Sequence, residues 1–78
     1  MSRFVLAGVL KVLAERFPGH EEQSVELPDE ATGMDLLRAL HLAPDAHIIA
    51  RGDDPIPNDE PLADGERILV IAVASGGV

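Results

Sequence analysis

Residues 61–78 read PLADGERILVIAVASGGV, and this closing segment carries the clearest signal about the fold. Within it, RILVIAV (67–73) is apolar at every position after Arg67, which predicts a central β-strand covered on both faces. The preceding residues ADGE (63–66) predict a turn. The small residues 74–77 and a final valine follow the strand. The segment therefore predicts a strand that ends a folded domain and continues as a short tail.

Three other segments have the composition of β-strands. Residues 2–7, SRFVLA, are rich in β-branched and aromatic side chains. Residues 23–27, QSVEL, alternate between polar and apolar, and residues 47–50, HIIA, form a short apolar run. The connection over residues 51–61 is rich in turn-forming residues, and Ile56 is its one clear core candidate. Together with the closing strand, these segments predict a small sheet.

The residues between the first two predicted strands show a different period. The segment GVLKVLAERF (8–17) has its apolar residues at helical spacing and stops at Pro18-Gly19, which predicts a short helix or helical turn. A longer first strand that continues through Leu10 is the alternative. The residues that define the helical spacing are Val9, Leu10, Leu13, Ala14 and Phe17.

The main helix is predicted to begin after Thr32, a good N-cap residue that has Asp35 three positions further on. Its apolar stripe consists of Leu36, Leu37 and Leu40. Pro44 is expected to end it. One helix on a small mixed sheet belongs to the α+β class. Because the two terminal strands are the most apolar, we expect them to lie side by side and parallel at the centre of the sheet.

The composition excludes several kinds of function. A chain of 78 residues predicts one domain, and the absence of cysteine excludes disulfides, thiolate metal sites and a cysteine nucleophile. The net charge of −8 argues against nucleic acid and anionic membranes as partners. The three histidines fall in separate elements, so we expect no metal site. The apolar run before Lys11 is too short to span a membrane and makes a poor signal peptide, so we expect a cytoplasmic protein.

Several segments resemble the small sulfur-carrier and ubiquitin-like proteins. FVLAGVLKVLAERFPG (4–19) looks like the opening of the small subunit of molybdopterin synthase. ATGMDLLRALHL (31–42) resembles the single helix of the sulfur carriers, and PLADGERILVIAVASGG (61–77) resembles their closing segment. HIIARGDDPI (47–56) is similar to the third strand and following turn of ubiquitin. The resemblance implies an α+β β-grasp (ubiquitin-like) roll, with a mixed four- to five-stranded sheet packed on one main helix.

The resemblance also divides the chain into a β-grasp domain, residues 1–73, and a flexible tail, residues 74–78. Glycine lacks a side chain, so Gly76 and Gly77 can thread a narrow channel in another protein. The family implies an E1-like adenylating enzyme that uses ATP and magnesium to activate the Gly77 carboxylate. The chain is then a substrate or carrier rather than an enzyme, and it binds no cofactor itself.

The activated carboxylate has two possible uses. In a sulfur carrier it becomes a thiocarboxylate that supplies a sulfur-accepting enzyme, as in molybdopterin synthesis, and the predicted helical turn over residues 8–17 favours this function. The alternative is a protein modifier that forms isopeptide bonds to target lysines, which the ubiquitin-like third strand and the extra residue Val78 favour. Both roles can also belong to one protein. A non-conjugating β-grasp interaction module is a further alternative.

Val78 departs from family members that end on the second glycine. The resemblance implies that a processing protease of the JAMM (deubiquitinase-like) type removes Val78 before Gly77 is activated. The alternatives are an accident of the gene end and a member that has lost activation.

Side chains alternate along the closing strand, so Ile68 and Val70 share one face. The resemblance implies that this face is turned towards the helix. The residues expected to face outward and dock partners are Leu69, Ile71 and Val73. The resemblance adds Ile49, at the position of the isoleucine in the recognition patch of ubiquitin. Cover by the chain's own loops is the alternative for Ile49 and Leu69. Lys11 is the only lysine, so it is the expected acceptor if the chain, otherwise a monomer, is linked to further copies through lysine.

Overall fold

The computed structural model describes residues 9–73. Within that range the chain forms one five-stranded sheet in the order β2-β1-β5-β3-β4 and one α-helix. The elements are β1 (Val9–Phe17), β2 (Glu21–Pro28), α1 (Gly33–Ala39), a 3-10 helix (Pro44–Ala46), β3 (His47–Arg51), β4 (Asp54–Ile56) and β5 (Arg67–Ala72). The α+β prediction is confirmed. The strand predicted over residues 2–7 and the tail 74–78 lie outside the described residues.

The helical turn predicted over residues 8–17 is wrong, because Val9–Phe17 is the strand β1. Its buried positions Leu10, Val12 and Ala14 recur every second residue, whereas Lys11 between them is exposed. β1 pairs antiparallel with β2 and parallel with β5, so its backbone groups bond to strands on both sides. Tertiary pairing therefore overrides the helical spacing of the apolar residues.

β1 and β5 are the two parallel strands at the centre of the sheet. Leu13 lies opposite Arg67 and Phe17 opposite Ile71, so both strands run in the same direction towards the C-terminal end of β5. The closing strand is parallel to its neighbour, as expected, but that neighbour is Val9–Phe17, and the predicted partner at residues 2–7 lies outside the described residues. The β2 hairpin arm and α1 lie in the connection that parallel strands require.

The hydrophobic core lies between α1 and one face of the sheet. Leu36 and Leu37 of the helix are fully buried and belong to one cluster with Val12 and Ile68 of the central strands. Ile56, the core candidate of the turn-rich connection, is half-buried and packs against this cluster. The same connection contributes the short edge strand β4. This strand was not predicted, because Asp54 and Pro55 are residues typical of turns.

The two ends of α1 follow from their local sequence. The Asp35 carboxylate accepts the backbone N–H of Thr32 at 2.9 Å, so the predicted N-terminus is confirmed. At the other end, the N–H of Leu42 bonds to the carbonyl of Leu37, and that of His41 to Arg38. His41 has φ +62°, so these bonds form the left-handed closure that ends a helix before Pro44.

Arg51 fixes the long connection between β4 and β5. Its guanidinium donates to Glu66 at 2.6 Å and to Glu60 at 3.0 Å, and it also bonds the carbonyl of Pro61. The Glu66 carboxylate accepts the N–H of Ala63 as well. Burial by itself raises the pKa of Glu66, but the bonds from Arg51 and Ala63 hold that pKa below its ordinary value. We call Arg51, Glu60 and Glu66 the loop clasp.

Candidate functional site

The two faces of β5 differ in burial. Ile68 and Val70 point to the helix and are 0% and 1% exposed. Leu69, Ile71 and Val73 point the other way and are half-buried. The alternation predicted for this strand is confirmed. β5 is central in the sheet, as expected, and within residues 9–73 the α-helix packs on its inner face.

The docking role predicted for Ile49 is wrong. Ile49 lies opposite Val70 in the antiparallel pairing of β3 with β5, so both side chains point into the core, and Ile49 is 0% exposed. Its neighbour Ile48 lies opposite Ile71 and is 44% exposed. Side chains alternate between faces, so an offset of one residue in the resemblance moved the predicted contact to the wrong side of the sheet.

The outer face of the sheet therefore presents a continuous apolar area beside the end of β5. Ile48 of β3 and Phe17 of β1 both lie opposite Ile71, one on each side of it. Ile48 is exposed and Phe17 and Ile71 are half-buried, and a partly exposed apolar area is typical of a protein-binding surface. We call Phe17, Ile48, Leu69, Ile71 and Val73 the docking face. No local sequence pattern distinguishes Ile48 from Ile49, because only the register of β3 separates their environments.

A charged network borders the docking face. Glu15 and Glu22 lie directly opposite each other on β1 and β2, an arrangement that is repulsive without a cation. Arg67 of β5 donates to Glu15 at 2.5 Å and to Glu22 at 2.8 Å. The bond from Arg67 lowers the pKa of Glu15 against the opposing effect of desolvation, and the nearby His20 adds to the lowering. The bonds to Glu15 and Glu22 in turn raise the pKa of Arg67.

The last described residues show where the tail leaves the sheet. Ala72 lies opposite His47 at the start of β3, and the N–H of Val73 donates to the carbonyl of Ala46 at 3.0 Å. The His47 ring donates from Nδ1 to the carbonyl of Ala43, which fixes the chain before β3. The predicted activation residues Gly76 and Gly77 and the predicted processing position Val78 lie outside the described residues.

Lys11 lies at the opposite end of the sheet from Val73. It is exposed on β1, two residues before Leu13, which is opposite the first residue of β5. Its backbone is held by bonds with Asp64 and Gly65 in the turn that leads into β5. The side chain is therefore accessible, and it shares the outer face with the docking face but stands apart from it.

Within residues 9–73, no cluster of three or more His, Cys, Asp or Glu side chains is arranged to hold a metal ion. No helix in the same range is both long and apolar enough to cross a membrane.

The model of the family described as small archaeal modifier protein 2 matches residues 10–73, which is most of the chain. The chain belongs to the small archaeal modifier protein 2 family. The match covers the β-grasp domain from β1 to the residue after β5. Members of this ubiquitin-like modifier family are typically substrates of E1-type enzymes rather than enzymes themselves. No curated protein sequence matches the chain at a significant level.

Solved structures give the same fold. The ubiquitin of Caldiarchaeum subterraneum is 20% identical, with 90% of this chain and 100% of that chain covered and a TM-score of 0.68. The UBL domain of Plasmodium falciparum Dsk2 is 23% identical over 83% of this chain and 99% of its own, with a TM-score of 0.65. At these identities the likeness establishes the ubiquitin-like β-grasp fold.

Proposed function

We propose that the chain is a ubiquitin-like protein modifier of the cytoplasm, activated at Gly77 by an E1-like adenylating enzyme and joined to lysines of target proteins. The observation that carries the proposal is the family match over residues 10–73. The position of β5 adds support, because this central strand ends at Ala72 and leads directly to the Gly76-Gly77 pair.

The partner enzyme supplies the reactive groups in this scheme. The Gly77 carboxylate attacks the α-phosphorus of magnesium-bound ATP, and pyrophosphate leaves. A thiol of the partner then displaces AMP, and a target lysine amine displaces the thiol to give the isopeptide bond. The chain contributes its carboxylate and its shape. The absence of side chains on Gly76 and Gly77 lets this end enter a narrow site.

The docking face is proposed to hold the partner while the tail reacts. The face lies beside the last residues of β5, so a protein bound to Leu69 and Ile71 is already close to the tail. Val73, held to Ala46, makes the boundary between the fixed strand and the reaching residues. Ile48 takes the central place that the resemblance assigned to Ile49, since Ile48 is the exposed member of the pair.

A sulfur carrier with a Gly77 thiocarboxylate is the second candidate, as it shares the adenylation step and the tail. It would pass its sulfur to an accepting enzyme, as in molybdopterin synthesis. The helical turn that favoured this candidate is replaced by the strand β1. The family description, with its modifier in the name, favours the first. The two functions differ in product: sulfur replaces one oxygen in the carrier, and lysine nitrogen does so in the modifier.

Two further steps belong to the proposal. A JAMM-type protease removes Val78 so that Gly77 becomes the terminal residue. Lys11 accepts the Gly77 carboxylate of another copy when copies are joined to one another. We also propose that the free chain is a monomer, because the two edge strands of the sheet formed by residues 9–73 discourage strand pairing: β2 carries Glu21, Glu22 and Glu26, and β4 is short and contains Pro55.

The experiment compares two tagged forms of the chain in cells of its source, with the tag at the N-terminus. The full chain should give a series of larger, tag-bearing proteins that persist in denaturant, because they are covalent conjugates. A matched form that ends at Gly76 should give none, because its terminal carboxylate falls one residue short of the position at which Gly77 is activated. Equal series from both forms, or no series from the full chain, would contradict the modifier function.

A further inference from the structure

The strands give the molecule two distinct ends. β1 and β5 run in the same direction, β5 beginning opposite Leu13 in the middle of β1, and the tail leaves at the end reached by Phe17 and Ala72. The same end holds the β1–β2 turn and the segment between α1 and β3, because His47 lies opposite Ala72. We call this the tail end. The opposite end, where Lys11 and the loop clasp lie, is called the far end.

The carboxylates are distributed unevenly between these ends. Ten of the 14 acidic side chains belong to elements at the far end, where Lys11 and Arg51 are the two cations among residues 9–73. The far-end carboxylates are Glu26, Asp29, Glu30, Asp35, Asp53, Asp54, Asp59, Glu60, Asp64 and Glu66. The net charge of −8 is therefore concentrated at the end that is remote from the tail.

The tail end is close to neutral by comparison. Its four carboxylates belong to Glu15, Glu21, Glu22 and Asp45, and three arginines accompany them. Arg67 begins β5 opposite Leu13, but its guanidinium bonds Glu15 and Glu22 and so belongs with the tail-end charges. Arg16 lies opposite Glu21 in the β1–β2 pairing. Arg38 is near the end of α1. The three histidines of the chain, His20, His41 and His47, all belong to segments of this end as well.

The separation is large enough to matter in salt solution. Lys11 and Phe17 are six strand residues apart, which corresponds to about 20 Å. The Debye length at physiological ionic strength is about 8 Å, so the far-end charges are largely screened at the tail. A reacting group on the tail therefore experiences the local charge of the tail end rather than the net charge of the chain.

We propose that the tail end is a face of low negative charge that fits a partner site already holding a polyphosphate nucleotide. The inference rests on the proposed function, because adenylation brings the tail up to ATP, whose phosphates repel carboxylates. If the net charge of −8 were spread evenly over the surface, the phosphates would repel the chain in every orientation. Solubility alone requires only the net charge and gives no reason for its placement at the far end.

The first test measures the charge around the tail without any partner. The chain has no cysteine, so Ser75→Cys and Ala63→Cys each introduce one thiol, at the tail and at the far end. Each thiol is treated with a dianionic disulfide, 5,5′-dithiobis(2-nitrobenzoate), and with neutral 2,2′-dithiodipyridine. A free peptide of residues 73–78 with the Ser75→Cys exchange is the reference, because it has the same local sequence and terminal carboxylate.

For each thiol we compare the rate of reaction with the dianion to the rate with the neutral reagent. At low ionic strength this ratio should be about tenfold lower for the thiol at position 63 than for the thiol at position 75. The tail thiol should have the same rate ratio as the peptide. High salt should make the ratios of the two protein thiols equal, because it screens the charges. The inference is overturned if the tail thiol disfavours the dianion as strongly as the thiol at position 63.

The second test adds the same charge at either end. Ala43→Glu places a carboxylate at the tail end, and Ala63→Glu places one at the far end; both positions are exposed. Adenylation by the activating enzyme should slow about threefold or more for Ala43→Glu and stay unchanged for Ala63→Glu. Equal rates overturn the inference. Absence of adenylation in the unmodified chain as well would instead overturn the proposed function, and the thiol rates would then decide the charge argument.

Discussion

Ile48 and Ile49 are adjacent residues of β3 with opposite environments. Ile49 packs in the core opposite Val70, and Ile48 stands on the docking face opposite Ile71. Since the two side chains are chemically identical, any difference between their substitutions reports position alone. At the scale of single residues, this pair separates a side chain that stabilises the fold from one that we propose contacts a partner.

Ile49→Ala should lower the free energy of unfolding by about 2–5 kcal/mol, because it leaves a cavity in a fully buried site. Ile48→Ala is the matched control and should change that free energy by about 1 kcal/mol or less, since 44% of the residue is exposed and its loss leaves no core cavity. Urea unfolding of both variants measures the difference. Similar losses in the two variants would mean that the register of β3 is not the one described.

The loop clasp predicts a specific pH dependence. The pKa of Glu66 is held below its unfolded-state value, so its contribution to stability is present above that unfolded value and is lost as the pH falls through the folded value. Glu66→Gln should cost about 1–3 kcal/mol at neutral pH, as it removes a charge-assisted bond to Arg51. The variant should then lose less stability than the unmodified chain on acidification below about pH 5. Urea unfolding at several pH values measures this.

Asp35→Asn is a suitable control for the loop clasp, since it also removes a carboxylate and lies outside the clasp. An unmodified chain and a Glu66→Gln variant with parallel pH profiles would contradict the role given to Glu66.

At the scale of secondary structure, β5 and α1 could be predicted from the sequence and β1 could not. The apolar run 67–73 and the Thr32 cap are local signals, and both lie where the sequence places them. In β1 the apolar residues fit two periods, and only pairing with β2 and β5 selects the strand. β4 was missed for a similar reason: a three-residue edge strand that contains Pro55 has turn-like composition.

The direction of β1 and β5 also determines whether Lys11 can bond to Gly77 of its own chain or only to Gly77 of another copy. Lys11 precedes the residue opposite Arg67 by two positions and Val73 follows Arg67 by six, so about 26 Å of strand separates them. Residues 74–77 reach about 14 Å when fully extended, too little even with an extended lysine side chain. A bond between Gly77 and Lys11 must therefore join two different copies.

This prediction can be measured on a chain that ends in a Gly77 thioester. In mildly alkaline solution it should give Gly77–Lys11 bonds only in dimers whose yield rises with protein concentration. The combined exchange Lys11→Arg and Asp45→Lys is the control: position 45 is next to Ala46, which bonds Val73, so its lysine should form a cyclic monomer. A cyclic monomer through Lys11 would show that the two ends are closer than the sheet places them.

At the scale of the whole molecule, the concentration of carboxylates at the far end should make stability depend on salt. Like charges there repel in the folded state, and added salt screens the repulsion. The Tm should therefore rise by a few degrees as sodium chloride is added. Asp53→Asn, which removes one exposed far-end carboxylate, should raise the Tm at low salt and flatten its rise. A Tm that falls with salt in the unmodified chain would contradict this charge distribution.

The sequence predicts some features of the fold and of the candidate site and leaves others unpredicted. The β-grasp class and the outward side of β5 follow from pattern and resemblance, because they depend on alternation within one strand. The exposure of Ile48 on the outer face depends on which residues pair across strands. The concentration of carboxylates at the far end depends on the same pairings. These pairings are long-range, so no local pattern contains them.

The central claim is that Gly77 is activated and joined to lysine. Trypsin cleaves after Arg67, so a target lysine modified by this chain would keep residues 68–77, ILVIAVASGG, as a branch after digestion. Mass spectrometry of the chain and its conjugates from cells of its source measures this directly. The account predicts lysine peptides that carry ILVIAVASGG without Val78. It is contradicted if every copy of the chain keeps Val78 and no lysine carries the branch.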